Sequence, residues 1–313
     1  MGKNVSKSSL ARANQDRDYH IFEEYAYYLV SEARQKCANH IFKLGGNVYA
    51  FDSTTIDLCL SVFWWAKFRK KKGGIKVHTL YDVETQIPAF FHITEASVHD
   101  SKVMIEIPYE PSSYYIFDRG YNNFKILYKI HQIEAYFVVR AKKNLGYKSI
   151  QWKRRLPTTV LSDASVFLTG FYPKQYYPEP LRLVKYWDEE QEREFTFITN
   201  AMHISALQVA ELYKNRWQVE LFFKWLKQHL KIKRFWGTTE NAVRIQIYAA
   251  ICAYCLVAII QHDMQLNRST YEVLQILSIS LTDKTHLRDL FDKTKFQNDK
   301  ERFGPNGPSL FNF

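Results

Sequence analysis

The sequence predicts an α/β fold, and three features of the chain predict it. Short runs of β-branched and aromatic residues recur over residues 48–140, and two of them end in an acid, Asp52 and Asp118. Residues 148–200 alternate apolar with charged side chains, which indicates a small antiparallel β region. Residues 204–234 and 240–262 have the apolar spacing of long helices.

The N-terminal half contains a helical region followed by alternating strands and helices. Residues 1–45 carry apolar side chains at helical spacing, and Gly45 and Gly46 end that region. The elements predicted after it are strands at 48–52, 75–81, 87–94, 114–118 and 135–140, a short helix at 101–107 with Asp100 as its N-cap, and a helix at 123–133. This order, followed by long helices, fits a ribonuclease-H-like α/β core.

The 313 residues are enough for one large domain or two ordinary ones, and the predicted organisation has five parts. These are a helical segment at 1–45, the first part of the α/β core at 46–147, a small antiparallel β insertion at 148–200, the second part of the core at 201–262, and a C-terminal tail at 263–313.

The composition points to a protein that binds a polyanion. The net charge is +11 and the pI is near 9.3, which favours nucleic acid over an anionic membrane as the partner. The longest apolar stretch, Ile247 to Ile260, is shorter than the roughly 20 residues of a membrane-spanning helix and predicts a buried core helix. The four cysteines form no disulfide framework and no leader-like segment is evident, so a cytoplasmic protein is expected.

Asp52 and Asp118 each follow apolar residues of a predicted strand. An acid at the end of a buried strand is costly unless something pairs with it, although a single aspartate there is more often a turn residue. Two clustered carboxylates repel each other unless a cation lies between them. Because Mg²⁺ prefers hard oxygen ligands, the pair predicts a divalent-metal site that needs no imidazole, and His78, His92 and His99 are therefore not predicted as ligands.

A third acid lies in the predicted helix over residues 204–234. Tyr213, Arg216, Glu220 and Lys227 stand at offsets of 0, 3, 7 and 14, which on one continuous helix fall within an arc of about 60°. A solvated face with an ordinary Arg216–Glu220 pair would explain the same spacing. The alternative is functional: Glu220 completes a metal site, while Tyr213, Arg216 and Lys227 bind phosphate oxygens.

These four residues match the signature Y-x2-R-x3-E-x6-K, and the chain thereby resembles the DDE transposases of the IS-four family. The segments Asp52-Ser-Thr-Thr55 and Phe117-Asp-Arg-Gly-Tyr121 resemble the two aspartate motifs of the family, and residues 72–78 resemble the segment between them. The resemblance covers about residues 8–262. It implies a ribonuclease-H-like core with a β insertion, and Asp52, Asp118 and Glu220 as catalytic and metal-binding acids.

The resemblance also implies what such a protein does. A bacterial enzyme of this family would use two Mg²⁺ ions, or Mn²⁺ in their place, to hydrolyse phosphodiesters and transfer strands in cut-and-paste transposition. It would act in the cytoplasm, at the nucleoid, on double-stranded DNA of the element ends and target, as a homodimer on DNA. Because the first aspartate motif comes within about fifty residues, the N-terminal DNA-binding region of the family is expected to be shortened here. A structure-selective nuclease of the same fold and a catalytically inactive DNA-binding remnant are the alternatives.

Basic residues near the predicted acids are candidate DNA contacts. A dense run follows the first strand and further lysines follow Glu220; the candidates are Lys71, Lys72, Lys76, Lys224 and Lys231, beside Tyr213, Arg216 and Lys227. Solvated surface charge is the ordinary explanation of any single run. Trp152 and Trp187, in the β insertion, are expected to be core residues rather than partners of an extruded base. The Cys252–Cys255 pair is expected to pack in the core.

Overall fold

The computed structural model describes residues 6–38, 42–59, 61–69, 72–229, 235–268, 270–280 and 285–293. In these ranges ten strands form one mixed sheet. The strands are β1 Val48–Leu58, β2 Lys67–Arg69, β3 Lys72–Asp82, β4 Ile87–Glu95, β5 Tyr114–Phe117, β6 Tyr136–Arg140, β7 Tyr147–Trp152, β8 Val160–Leu168, β9 Leu181–Asp188 and β10 Arg193–Thr199. They follow the order β2-β3-β1-β5-β6-β10-β9-β8-β7, and β4 pairs with β3.

Helices cover both faces of the sheet. They are α1 Lys7–Asp16, α2 His20–Lys36, α3 Asp100–Val103, α4 Phe124–Gln132, α5 Phe171–Tyr176, α6 Ala206–Lys214, α7 Trp217–His229, α8 Glu240–Asp263, α9 Thr270–Ser280 and α10 Leu287–Lys293, with 3₁₀ turns at Met104–Glu106 and Arg119–Tyr121. The predicted mixed α/β class, the strands after residue 70 and the long apolar helix are confirmed.

The centre of the sheet is apolar on both faces. In β1, Val48 and Ala50 face a core built with α2, α6, α7 and α8, whereas Tyr49 and Phe51 face a second core built with α4. All four residues of β5 are buried. Strands β1, β5 and β6 are parallel. Parallel strands that are covered on both faces have nearly continuous apolar sequences. This explains why the sequence shows short apolar strands there instead of an alternating pattern.

The first strand is longer than predicted. Its pairing with β3 continues from Tyr49↔Asp82 to Leu58↔Gly73, so Asp52 lies within the strand and not at its end. The prediction of a strand-ending acid is therefore wrong for Asp52. The β-branched run Thr54-Thr55-Ile56 favours continued strand and carries the ladder past the acid. Asp118 directly follows β5, as predicted.

The predicted helix over 204–234 is two helices, α6 and α7, interrupted at Asn215 and Arg216. The prediction of one continuous helix is wrong, because Asn215 competes for the backbone: its side-chain amide donates to the Glu211 carbonyl over 2.9 Å. The Arg216 N–H then bonds three residues back, to the Tyr213 carbonyl. Residues 230–234 lie outside the described part.

Asp100 is the first residue of the short helix α3 and not its N-cap. The ring Nδ1 of His99 accepts from the Ser101 N–H and caps α3 instead. The prediction of an Asp100 cap is wrong, because the Asp100 carboxylate is bound by Ser53 and Lys76.

The β insertion extends the central sheet. Strands β7 to β10 pair antiparallel with their chain neighbours, and β10 pairs with β6. Arg182 of β9 is fully buried, pairs with Asp163 of β8 at 2.7 Å and donates to the Ala201 and Ile204 carbonyls ahead of α6. This buried cation thus joins the insertion to the start of the helix pair that carries Glu220.

Trp152 and Trp187 are not core residues. Their exposures are 59% and 40%, so the expectation that they pack inside the insertion is wrong. Trp152 ends β7, the outermost strand of the sheet, which lacks a neighbour on one side among the described residues. The edge position of β7 accounts for the exposure of Trp152, and local sequence does not encode that position.

Within the described ranges, α8 is the one helix long and apolar enough to cross a membrane by composition. Its residues Ile247, Ile251, Cys252 and Cys255 are buried against the core with α2, which confirms the expected core helix. Both cysteines are free thiols. The apolar run of α8 is therefore explained by packing.

Candidate active site

Asp52 lies on β1 with its carboxylate held by three donors. Arg216 Nη1 donates to Oδ2 over 2.7 Å, while the Ser53 N–H and the Tyr121 phenol donate to Oδ1 over 2.8 and 3.2 Å. Burial raises the pKa of Asp52 above its usual range, and the Arg216 guanidinium opposes that rise. A buried acid with this many donors is held in one orientation.

Glu220 lies in the first turn of α7 and shares the same guanidinium. Arg216 Nη2 donates to Oε1 of Glu220 over 2.5 Å, so one cation joins the acids of β1 and α7. The Arg216–Glu220 pair is the ordinary i,i+4 contact that a solvated face predicts. However, the Arg216 side chain is only 16% exposed and also binds Asp52, which a solvated face does not explain.

Asp118 is held by Tyr213, the last buried residue of α6. The Tyr213 phenol donates to Oδ1 of Asp118 over 2.8 Å, and Arg140 lies 4.0 Å from the same oxygen. Burial acts to raise the pKa of Asp118, but the Arg119 N–H, the Tyr213 phenol and the nearby guanidinium charges outweigh it and lower that pKa. Burial raises the pKa of Tyr213 to about 12, so the phenol keeps its proton as a donor.

One group of side chains therefore connects all three acids. Arg216 lies over the Tyr213 ring at 5.7 Å and acts electrostatically on Asp52, Asp118 and Glu220. Tyr213 and Arg216 lie on either side of the end of α6 and bind different acids. Tyr213 binds Asp118, and Arg216, three residues later, binds Asp52 and Glu220. These contacts link Asp52 to Glu220 through Arg216, and they place Tyr213, which binds Asp118, beside the same guanidinium.

The donor chemistry of the site fits a hard divalent cation. Its acids offer carboxylate oxygens, the ligands that Mg²⁺ prefers. Within the part of the chain that the structure describes, no group of three or more His, Cys, Asp or Glu side chains stands close enough to share a metal ion. Arg216 supplies the positive charge between Asp52 and Glu220 in this arrangement.

The predicted DNA contacts fall in different environments. Lys224 is exposed on α7 and Lys227 is partly buried on the same helix. Lys76 is mostly buried and donates to the Val98 carbonyl over 2.8 Å and to Asp100 at 3.0 Å. The Lys72 side chain, and all of Lys71 and Lys231, lie outside the described part.

Sequence reasoning missed four residues around the acids: Ser53, Asp100, Tyr121 and Arg140. Ser53 and Tyr121 belong to the two aspartate segments, so their nearness in sequence to Asp52 and Asp118 was an available signal. Asp100 and Arg140 reach the site through strand register and chain crossover, for which a single sequence gives no signal.

Residues 43–256 match the family model described as Transposase DDE domain. The chain belongs to the DDE transposase family. The match spans the sheet and helices α3 to α7, with most of α8, and includes every acid of the site.

Three relatives of this transposase carry names of the same kind. It is 37% identical over 247 residues to transposase y4zB of Sinorhizobium fredii, 28% identical over 249 residues to a transposase for insertion sequence element IS5377 of Geobacillus stearothermophilus, and 25% identical over 293 residues to a transposase for insertion sequence element IS4SA of Synechocystis. The matches cover 76%, 80% and 90% of this chain and 67%, 66% and 80% of the relatives. The chain thus spans about two thirds of the length of the first two relatives.

Proposed function

We propose that this transposase cuts and rejoins DNA at the site formed by Asp52, Asp118 and Glu220, in cut-and-paste transposition of an insertion sequence. The observation that carries the proposal is a pair of contacts three residues apart in the chain: Arg216 binds both Asp52 and Glu220, and Tyr213 binds Asp118. The net charge of +11 supports double-stranded DNA as the substrate.

Asp52, Asp118 and Glu220 would hold two Mg²⁺ ions, for which Mn²⁺ would substitute. When bound, such ions activate a water and stabilise the leaving 3′ oxygen in phosphodiester hydrolysis. The carboxylates supply negative charge and oxygen ligands, and they need not take up the proton. The same site would then use the freed 3′-hydroxyl as the nucleophile for strand transfer.

The cationic side chains have a separate role. Arg216 pairs with Asp52 and Glu220 here, and a divalent ion at these acids would release its guanidinium for a phosphate oxygen of the DNA. Lys224 and Lys227 follow Glu220 on α7 and would contact the DNA backbone, as would Lys71, Lys72 and Lys231. Tyr213 would hold Asp118 in place through its phenol.

The sheet supports a ribonuclease-H-like core for this chemistry. The strands β4-β3-β1-β5-β6 combine an antiparallel hairpin on one side with three parallel strands on the other. We propose residues 46–147 and 201–262 as the two parts of the core and 148–200 as the insertion between them. Because transposition joins two element ends, the active form would be a homodimer on DNA in the bacterial cytoplasm.

Glu220→Gln tests the proposal, because it removes the charge and keeps the volume. We expect Mg²⁺-dependent nicking of DNA to be lost while DNA binding persists. Glu211→Gln is the control, since Glu211 is exposed on α6 outside the site, and it should nick like the wild type. Full cleavage by Glu220→Gln would remove Glu220 from the site.

A strand-transfer assay distinguishes a transposase from a nuclease of the same fold. A pre-cut end with a free 3′-hydroxyl should be joined to target DNA, and cleavage without joining would indicate a nuclease instead.

A further inference from the structure

A second polar group lies beside Asp52 and takes no part in the links that join the three acids. The Ser53 hydroxyl donates to Oδ1 of Asp100 over 2.8 Å, and Lys76 Nζ lies 3.0 Å from the same oxygen. Lys76 also donates to the Val98 carbonyl and is only 13% exposed. Its ammonium charge is therefore used inside the protein, and we name Ser53, Lys76 and Asp100 the rear group.

The rear group connects to one oxygen of Asp52. Oδ1 accepts the Ser53 N–H over 2.8 Å and the Tyr121 phenol over 3.2 Å. One donor to Oδ1 is thus the backbone of Ser53, whose hydroxyl is bound to Asp100. Oδ2, in contrast, accepts a hydrogen bond from Arg216 Nη1 over 2.7 Å.

We propose that the rear group is a positioning device for Asp52. It fixes Oδ1 through Ser53 and Tyr121 and leaves Oδ2 as the oxygen that exchanges its partner between Arg216 and a divalent cation. Rotation of the carboxylate would break both bonds to Oδ1, so the orientation of Oδ2 is set before a cation arrives. This inference rests on the proposed function, because it assigns Asp52 as a metal ligand.

A purely structural role is the competing explanation. Asp100 lies in the first turn of α3, where an acid stabilises a helix. However, α3 has four residues, and its cap is His99. The Asp100 carboxylate instead faces the strands: its Oδ1 binds Ser53 of β1 and Lys76 of β3, and His78 Nδ1 of β3 lies 3.8 Å away. Three groups on the two strands that hold and flank Asp52 converge on one oxygen.

The test uses Ser53→Ala and Asp100→Asn, with Ser53→Thr as the conservative variant that keeps the hydroxyl. Mn²⁺ affinity of the DNA-free protein is measured by electron paramagnetic resonance, and kcat and KM are measured for nicking of a DNA duplex. Groups that orient a metal ligand typically contribute 10- to 100-fold to metal affinity or activity. We therefore expect Ser53→Ala and Asp100→Asn to weaken Mn²⁺ binding and lower kcat by about tenfold or more, with KM for DNA within about twofold.

Ser53→Thr should recover most of the Mn²⁺ affinity, and Asp57→Asn is the matched control because Asp57 is an exposed acid of the same strand. Thermal unfolding of each variant separates positioning from structure. A lower Tm with unchanged Mn²⁺ affinity and kcat of the folded protein would overturn the inference.

Asp52→Asn distinguishes the failure of the two proposals. If Asp52→Asn binds Mn²⁺ and nicks DNA like the wild type, the proposed function fails. If Asp52→Asn is impaired while Ser53→Ala and Asp100→Asn are not, only the positioning inference fails.

Discussion

Arg216 Nη1 lies 2.7 Å from Oδ2 of Asp52, although 164 positions separate the two residues along the chain. The same guanidinium binds Glu220, so it neutralises two acids that would otherwise repel each other. Under the proposed function, a divalent cation at these acids would replace that charge. Arg216 would then couple binding of the cation to the position of a group able to bind phosphate.

Arg216→Gln should tighten Mn²⁺ binding to the DNA-free protein several-fold, because the competing cation is removed. In EDTA, the variant should lose about 2 kcal/mol of unfolding free energy, since the mostly buried Asp52 and the exposed Glu220 lose their shared partner, and added Mn²⁺ should restore part of it. Calorimetric titration and urea unfolding measure these effects. Arg244→Gln, which breaks an i,i+4 Arg–Glu pair on α8, is the control. Weaker Mn²⁺ binding by Arg216→Gln would contradict the competition.

Tyr213→Phe separates the two roles considered for this phenol. The predicted helix face suggested a phosphate contact, whereas the structure has the phenol donating to Asp118 over 2.8 Å. Loss of a hydrogen bond to a charged group costs about 1.5–3 kcal/mol, so kcat for nicking should fall by about 10- to 100-fold. The Kd for duplex DNA should stay within about twofold of the wild type. A raised Kd with unchanged kcat would favour the phosphate contact.

Local pattern predicted much of the fold. The apolar run Tyr114–Phe117 predicts a buried strand, and Asp118 follows it as expected. The helix face on which the spacing places Tyr213, Arg216 and Glu220 does not exist, because Asn215 interrupts the helix. Asp52 was predicted to end its strand, but the strand continues past it.

Long-range register accounts for what the sequence could not predict. Ser53 stands opposite His78, and Lys76 stands opposite Thr55, only because β1 and β3 pair in one particular alignment. That alignment places Ser53 and Lys76 on neighbouring strands, where both bind Asp100, so a lysine predicted to bind DNA is bound inside the protein. The exposure of Trp152 likewise follows from the place of β7 at the edge of the sheet. A shift of one residue in the β1–β3 register would turn the side chains of the shifted strand to the opposite face of the sheet and break these contacts.

Buried His78 should make the stability of the fold depend on pH. Burial lowers the pKa of His78 from 6.5 to about 4, so between these values the unfolded chain binds a proton that the folded chain does not. Stability from this residue is complete above pH 6.5 and is lost as the pH falls toward 4, by about 3 kcal/mol in total. Urea unfolding at several pH values measures the loss.

His78→Gln should flatten that part of the pH profile, and His92→Gln, a partly exposed neighbour on β4, should keep it. An unchanged slope in His78→Gln would show that other groups cause the loss of stability.

The buried Arg182–Asp163 pair should be among the most sensitive contacts of the fold. Both side chains are 2% exposed, and Arg182 also donates to the Ile204 carbonyl next to α6. Burial acts to raise the pKa of Asp163, but Arg182 and Lys153 outweigh it and lower that pKa. Arg182→Leu leaves a buried acid without its main partner, so the unfolding free energy at pH 7 should fall by about 3–5 kcal/mol.

The double variant Arg182→Leu with Asp163→Leu should recover much of that loss, because no buried charge is left unpaired. Lys185→Ala provides the comparison on the same strand: its contact with Glu194 is 3.7 Å long and partly exposed, so the change should be below about 1 kcal/mol. The single Arg182→Leu variant should also regain stability on acidification, since protonation removes the unpaired charge of Asp163. If Arg182→Leu and Lys185→Ala destabilised the protein equally, burial of the pair would not determine its contribution, and the link between the insertion and α6 would depend on apolar packing alone.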